Sequence, residues 1–392
     1  MPFDFALSPM RRVAAALALV FAAAPAAAFD TQAEAAYVVD YNTGTVLLEK
    51  NAHDPLPPSS MSKLMTLYML FEALRDIDSL TLETRFPVSE RAAAMGGSSM
   101  FLNPSDRPTV EELIRGIVVQ SGNDATVVVA EGLSGSEEAF AQLMNDRAQM
   151  LGMTESTFVN SSGWPHPEHR MSMRDLGILT VRLISDFPEF YEYFAEEKFE
   201  FDGRVPSNHF NRNPLLGLDI GADGLKTGHT QEAGYGLVGS AVQGGRRVVF
   251  VVNGLPSREA RAAESQRILN WAFRQFVERE VVAEGRQIAE APVWMGAAES
   301  VNLVAAAGRT MLLPVLAQDL VPGEAIFDAP ITAPIAAGDV LGELILRPEG
   351  LPEARVPLVA DRDVAEGGFG QRLTTVGRML LEQLGDRAGG TL

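Results

Sequence analysis

The sequence contains no cysteine. Disulfides, thiolate nucleophiles and cysteine-ligated metals are therefore excluded together. Histidine is nearly as scarce, with His53, His166, His169, His209 and His229 the whole supply. His166 and His169 are three apart, a spacing that can hold a metal on a helix. Pro165 and Pro167 disfavour a helix there, so the stretch reads as a surface loop. No metal and no cofactor is expected. Positive charge is also short, with 32 Lys and Arg against 51 Asp and Glu and a net charge of −19. No basic stripe is present, so nucleic acid is not an expected partner, and the acidity reads as solubility. At 46 % hydrophobic and 21 % charged residues the composition is that of a globular protein, which excludes wholesale disorder. A chain of 392 residues is too long for one comfortable core, so two domains are expected.

The N-terminus reads as an address. Arg11-Arg12 precede an apolar run from Val13 to Ala24, Pro25 breaks it, and Ala26-Ala27-Ala28 supplies small residues for cleavage. Residues 1–28 are therefore expected to be a cleaved signal peptide, the run being too short and too poor in bulky side chains for a stable span. Asp4 has no place in a basic leader, and translation from Met10 would give Met-Arg-Arg directly before the apolar core.

Beyond the leader, Ala36–Val39 and Val46–Leu48 flank Asn42-Thr43-Gly44 as an antiparallel hairpin. Lys63–Leu74 has helical spacing, Thr109-Val110-Glu111-Glu112 is a capping box, and Ser136 and Ser172 look like helix caps. Tyr235–Val252 reads as two strands turning at Gly244-Gly245, and Leu269–Phe276 as helix. Strands bracketing a block of helices predict an antiparallel sheet covered by helices, an α+β fold rather than alternating βαβ units. After about Arg279 short apolar runs separated by Gly and Pro predict a small all-β module. Phe369–Leu384 returns to helical spacing. Phe369, Leu373, Val376, Leu380 and Leu384 form one apolar stripe there, as in a helix lying in a membrane surface.

Chemistry enters at Pro57-Pro58-Ser59-Ser60-Met61-Ser62-Lys63. Two prolines stop the preceding segment and a helix begins, so Ser60 and Lys63 emerge on one face. Serine is a weak nucleophile without a base beside it, and lysine is a base only when its pKa falls. Alone, Ser60 could be a mere N-cap. Two further segments add to it. Ser121-Gly122-Asn123 interrupts an apolar helical region, with Gly122 permitting an irregular turn. Lys226-Thr227-Gly228-His229 precedes the strand pair, supplying a second cation, with Gly228 leaving room for a substrate against the strand.

In this order Ser-x-x-Lys, Ser-x-Asn and Lys-Thr-Gly resemble the penicillin-binding and serine β-lactamase superfamily. The flanks Leu64-Met65-Thr66, Asp124-Ala125, Asp223-Gly224-Leu225, Gly97–Leu102 and Asn211-Arg212-Asn213 resemble its low-molecular-mass serine D-alanyl-D-alanine carboxypeptidases (peptidase S11-like). That resemblance implies a catalytic domain over 29–278, a β-rich domain over 279–366 and an amphipathic membrane-anchoring helix and tail over 367–392. It implies that Ser60 attacks the bond between terminal D-alanines of peptidoglycan stem peptides and that β-lactam antibiotics acylate the same serine. Lys63 would take the serine proton, Ser121 would relay a proton to the leaving amine, and Asn123 would hold Lys63 and the substrate amide. Lys226 would keep Lys63 neutral and attract the substrate carboxylate. Thr227, Gly228 and His229 would line the substrate, the main-chain N–H groups of Ser60 and His229 forming the oxyanion hole. Arg261, and with it Arg212, would stand near the carboxylate. The expected location is the periplasm, at the outer face of the inner membrane. A class A β-lactamase shares the motifs but needs a loop glutamate, for which only Glu168 is at hand, and a non-catalytic wall-binding protein could share the fold.

Overall fold

The computed structural model describes residues 12–16, 29–205, 208–317 and 321–368. Two compact units divide between Arg274 and Gln275. The unit Phe29–Arg274 holds a sheet, and the other combines a short strand, β1 (Arg12–Ala16), with the chain after Arg274.

In the larger unit the predicted hairpin is strands β2 (Ala35–Asp40) and β3 (Val46–Lys50), and its turn is fastened by the Asp40 carboxylate, which accepts from Thr43 N and Oγ1 at 2.9 and 2.8 Å. Strands β4 (Ala222–Thr230), β5 (Gly234–Gln243) and β6 (Arg246–Leu255) complete an antiparallel sheet ordered β3-β2-β6-β5-β4. Gly244 and Gly245, both with positive φ, make the β5–β6 turn as expected.

The helices are α1 (Lys63–Asp76), α2 (Glu90–Ala93), α3 (Val110–Arg115), α4 (Asn123–Ser134), α5 (Glu137–Met150), α6 (Met173–Asp186) and α7 (Arg258–Gln275). Thr109, Ser136 and Ser172 cap α3, α5 and α6 as their sequences predict. Successive residues of β2 serve opposite faces. Ala36 and Val38 pack with Phe250, Val252 and the Ile268, Leu269 and Ala272 of α7, whereas Tyr37 and Val39 pack with Val249, Val251 and the α1 residues Leu64 and Leu67. Both faces are thus covered, which is why β6 is a continuous apolar run instead of an alternating one.

The second unit is all-β. A two-stranded ribbon pairs β7 (Phe276–Val282) with β10 (Arg309–Pro314). The strands β8 (Gln287–Trp294), β9 (Ser300–Ala305), β11 (Gly323–Asp328), β12 (Ile331–Thr332), β13 (Val340–Leu346) and β14 (Ala354–Ala360) join β1 in a sheet ordered β1-β11-β13-β14-β9-β8-β12. Val301, Leu303, Leu313, Phe327, Leu344, Val356 and Leu358 form its core.

Three features differ from the sequence reading. Helix α7 begins at Arg258 rather than near Leu269, because Ser257 Oγ accepts from Ala260 N and starts the helix a full eleven positions upstream. Phe276, read as helical from its spacing behind Leu269 and Ala272, instead opens β7, whose valines pair with β10. Arg12–Ala16, inside the expected leader, runs antiparallel to β11 with Arg12 opposite Asp328. Residues 17–28 and the amphipathic stretch from Phe369 onward lie outside the described residues.

Candidate active site

The chain reaches the site through Pro57-Pro58 and a 3₁₀ turn, Ser59–Ser62, that runs straight into α1. Ser60 is half-buried in that turn, and Lys63, fully buried, is the first residue of the α-helix. The spacing of three brings Lys63 Nζ to 3.0 Å from Ser60 Oγ. Two glycines make this turn possible. A Cβ on Gly163 (φ +75°) would stand 1.9 Å from the Ser59 carbonyl oxygen, so the loop can press on the turn only because that residue is glycine. A Cβ on Gly228 would meet Met61 Cγ and the Pro58 carbonyl oxygen, each at 3.0 Å. The missing side chain of Gly228 thus lets β4 abut the turn that carries Ser60.

Ser121 and Asn123 reach the same place from the α3–α4 connection. A π-helical turn (Gly116–Gln120) ends in Ser121, which is left-handed at φ 59°, and α4 starts at Asn123. The irregular backbone expected at Gly122 is therefore carried by Ser121. Gly122 is needed for closeness, since a Cβ there would meet Asp124 Oδ1 at 2.8 Å. Asp124 is buried and accepts from Met100 N, Leu102 N and Ser99 Oγ, which fixes the Ser98–Leu102 loop beside the site. From β4, Lys226 donates to Ser121 Oγ at 2.9 Å and to the Thr227 carbonyl at 3.1 Å. Thr227 and Gly228 are buried beside it.

The hydrogen bonds of Lys63 decide the direction of chemistry. Besides Ser60 its amine donates to Asn123 Oδ1 at 2.7 Å and to the main-chain carbonyl of Ser162 at 2.6 Å. Both oxygens only accept. A neutral amine has two N–H bonds and one lone pair, so with both protons spent on Asn123 and Ser162 the lone pair is left facing the Ser60 hydroxyl. In that form Ser60 donates to Lys63, which is the geometry of a general base at a nucleophile. Burial, and after it the guanidinium of Arg212, lower the Lys63 pKa to about 7 against the opposing fields of Asp124 and Glu137. Lys226 is held well below the ordinary lysine value, first by burial and then by Lys63, Arg212 and Arg261. The sequence reading gave Lys226 the task of keeping Lys63 neutral. In the structure burial does most of it and Arg212 is the leading cation.

Arg212 and Arg261 are two further cations acting on this cluster. Arg212 donates only to neutral acceptors: Ser98 Oγ at 2.7 Å, Asn208 Oδ1 at 2.9 Å and the Gln120 carbonyl at 3.2 Å. Arg261, on the first turn of α7, is 5 % exposed and donates to the carbonyl oxygens of Gly236 and Arg212. Its Nε is buried without a partner, and burial followed by the charge of Arg258 lowers its pKa to about 10. Among the described residues neither guanidinium has a carboxylate at ion-pair distance, so neither is the surface ion pair that its residue type alone would suggest. His229 lies exposed at the end of β4, its ring stacked on Tyr235 with centroids 3.7 Å apart and Nδ1–H donating to the Gly234 carbonyl.

The loop 160–170 departs most from expectation. Asn160 Oδ1 accepts from the main-chain N–H groups of Ser162, Gly163 and Trp164, knotting the loop so that the Ser162 carbonyl faces Lys63. The buried carboxylate of Glu137 accepts from Ser161 N and Oγ, and Arg91 pairs with its other oxygen at 2.8 Å. His169, read as part of a proline-rich surface loop, is 2 % exposed and bonded to Ser62 Oγ at 2.8 Å. Glu168 is exposed. A carbonyl and a loop clamp have no side-chain motif, and the one available signal, Asn160-Ser161-Ser162-Gly163, is common in turns.

Set against known proteins, residues 20–257 match the family of D-alanyl-D-alanine carboxypeptidases, and residues 276–366 match the C-terminal domain of penicillin-binding protein 5. The chain is 36 % identical over 379 residues to the D-alanyl-D-alanine carboxypeptidase DacC of Escherichia coli, covering 92 % of this chain and 94 % of that one. It is 34 % identical to DacF of Bacillus subtilis, covering 86 % and 87 %. Among solved structures, penicillin-binding protein 5 from Haemophilus influenzae superposes with a TM-score of 0.71 at 33 % identity, covering 86 % of this chain and 98 % of that one. Penicillin-binding protein D2 from Listeria monocytogenes, in its ampicillin-bound form, superposes with a TM-score of 0.56 at 31 % identity, covering 62 % and 97 %. With the serine–lysine site built as above, this chain belongs to the D-alanyl-D-alanine carboxypeptidase family of serine peptidases.

Proposed function

We propose that this chain removes the terminal D-alanine from peptidoglycan pentapeptide stems through an acyl-enzyme on Ser60, and that penicillins acylate the same residue. The observation that carries this reading is the lone pair of buried Lys63, turned onto Ser60 by two carbonyl acceptors. Lys63 accepts the Ser60 proton as Oγ bonds to the carbonyl carbon between the two D-alanines. Ser121, donating onward from its contact with Lys226, passes a proton to the departing amine. Arg261 and Arg212 supply positive charge and, among the described residues, neither has a carboxylate at ion-pair distance, the environment a free α-carboxylate needs. Water then attacks the ester and Ser60 is restored. Glu168 is exposed, which speaks against the loop base of a class A β-lactamase, and the intact Ser60, Lys63, Asn123 and Lys226 speak against a purely scaffolding protein. Incubating the purified protein with a D-Ala-D-Ala pentapeptide should give tetrapeptide and free D-alanine by mass; unchanged peptide overturns the reading.

The sequence signals for export and anchoring extend the proposal to a place of action. The leader would deliver the enzyme to the periplasm, and the stripe Phe369, Leu373, Val376, Leu380 and Leu384 would lie in the outer face of the inner membrane, where stem peptides are displayed. Among the described residues no helix is long and apolar enough to cross a membrane.

A further inference from the structure

His169 sits directly beneath the nucleophile's turn. Its ring is packed edge-on against Phe158, with centroids 5.6 Å apart, and is closed off from solvent. Each ring nitrogen has one polar neighbour. Val159 N–H donates to Nδ1 at 3.2 Å, and Nε2 lies 2.8 Å from Ser62 Oγ. Because a main-chain N–H can only donate, Nδ1 must be the acceptor and the single proton of the neutral ring resides on Nε2, pointing at Ser62. Ser62 is fully buried and immediately precedes Lys63. The Val159 contact therefore sets the tautomer, and the tautomer supplies the hydrogen bond that holds the first turn of the nucleophile helix. The charged groups that act on this ring, Lys63, His166 and Arg170, are basic, and together with burial they hold the His169 pKa down to about 4. The ring stays neutral wherever Lys63 can act.

We infer that His169 is a positioning residue for acylation, acting through Ser62 to keep Lys63 in register with Ser60, Asn123 and the Ser162 carbonyl. The inference rests on the proposed serine acylation. It gives the buried histidine a task in the reaction without contact to the substrate. Small displacements of a base from its nucleophile are expensive, and here the displaced group would be the α1 start itself.

The two nitrogens can be separated by substitution. In His169→Gln the side-chain amide N–H₂ reaches the place of Nε2 and can still donate to Ser62, while the acceptor for Val159 is lost. In His169→Asn the amide oxygen takes the place of Nδ1 and still accepts from Val159, while Ser62 is left without its donor. Both remove one buried hydrogen bond, so a purely structural histidine would lose similar stability and similar rate in each. The expected result is a first-order acylation constant, at saturating fluorescent penicillin, within about threefold of wild type for Gln and reduced roughly 10- to 100-fold for Asn, with the non-covalent penicillin Kd unchanged in both. Equal acylation by the two variants overturns the inference. If either variant fails to fold, Ser62→Ala decides, since it removes the same bond from the other side: a loss greater than about fivefold supports the inference and a smaller one overturns it. A wild-type protein that is not labelled overturns the serine-acylation reading as well, so the two failures are distinguishable.

Discussion

The carbonyl of Ser162 accepts from Lys63 Nζ at 2.6 Å across 99 residues of sequence. This contact, with the one to Asn123, leaves the lysine only one direction in which to take a proton. The Lys63 amine is therefore oriented by a backbone atom of a distant loop as well as by the motif that carries it. The roles of the surrounding residues can be tested one at a time.

Ser60→Ala should abolish covalent labelling by a fluorescent penicillin. Ser60 is half-buried and its hydroxyl bonds to Lys63, so the fold should lose no more than about 0.5–1 kcal/mol by denaturant titration. A labelled band in that variant, after denaturing electrophoresis, would place the nucleophile elsewhere.

Acylation should depend on pH with a definite sign. The Lys63 ammonium cannot accept a proton, and its pKa is about 7, so the rate should be low near pH 5 and rise through pH 7 towards a plateau. Arg212 is the leading cation that lowers this pKa, so Arg212→Gln should relieve the repulsion and move the midpoint of the rise to higher pH. Stopped-flow acylation across pH 5 to 9 reads both. A midpoint that stays fixed or moves down would remove Arg212 from this role.

Ser60, Lys63, Ser121, Asn123 and Lys226 were legible because side-chain chemistry at fixed spacing survives in a linear sequence. So were the hairpin at Asn42-Thr43-Gly44 and the caps Thr109, Ser136 and Ser172, each a local rule. The clamps were not. Ser162 acts through its carbonyl, which any residue possesses, and Glu137 and Asp124 look like surface acids until the backbone N–H groups they satisfy are placed around them. His169 misled because Pro165 and Pro167 do make a loop, but one that folds back beneath α1. Gly228 was singled out, but its close approach to Met61 and Pro58 was not visible in the sequence. In each case the missing information was a long-range approach, which composition and period do not encode.

Arg261 holds a buried guanidinium with an unpartnered Nε and, among the described residues, no carboxylate at ion-pair distance, a state that a substrate carboxylate would relieve. Arg261→Ala should therefore reduce hydrolysis of a free-acid D-Ala-D-Ala peptide by roughly 100-fold, in line with about 3 kcal/mol for a charge-assisted pair. Acylation by a neutral thioester lacking that carboxylate should fall much less. An equal loss on both substrates would mean that Arg261 only supports β5 through Gly236.

The stripe after residue 368 belongs to a segment carrying Arg372, Arg378 and Arg387 against Glu382 and Asp386, on a chain that is otherwise strongly acidic. Were this segment helical, as its spacing predicts, it would present an apolar face with a mildly basic border, which suits an anionic bilayer surface. Ending the chain at Glu366 should move the enzyme from the membrane fraction to the soluble one with peptidase activity retained. Identical fractionation of full-length and shortened protein would show that this stripe is not the anchor.

Gly163 tests whether the loop clamp matters to both fold and chemistry. At φ +75° an alanine pays for a left-handed backbone, and its Cβ would sit 1.9 Å from Ser59 O, 2.7 Å from Ser59 C and 3.0 Å from Ser62 Cβ. Nothing there is a flexible side-chain end that could yield. Gly244→Ala is the matched comparison, since its φ of +59° brings the same kind of strain and a Cβ there would have nothing within 4 Å. Strain alone should cost Gly244→Ala about 1 kcal/mol. Gly163→Ala should lose roughly 3 kcal/mol or more, because the loop must also withdraw from the turn. Withdrawal carries the adjacent Ser162 carbonyl away from Lys63, so the residual folded protein should acylate at least about tenfold more slowly, whereas Gly244→Ala should acylate at the wild-type rate. If both variants lose the same stability and keep the same rate, the loop is not pressed against Ser59 and the orientation of Lys63 does not depend on it.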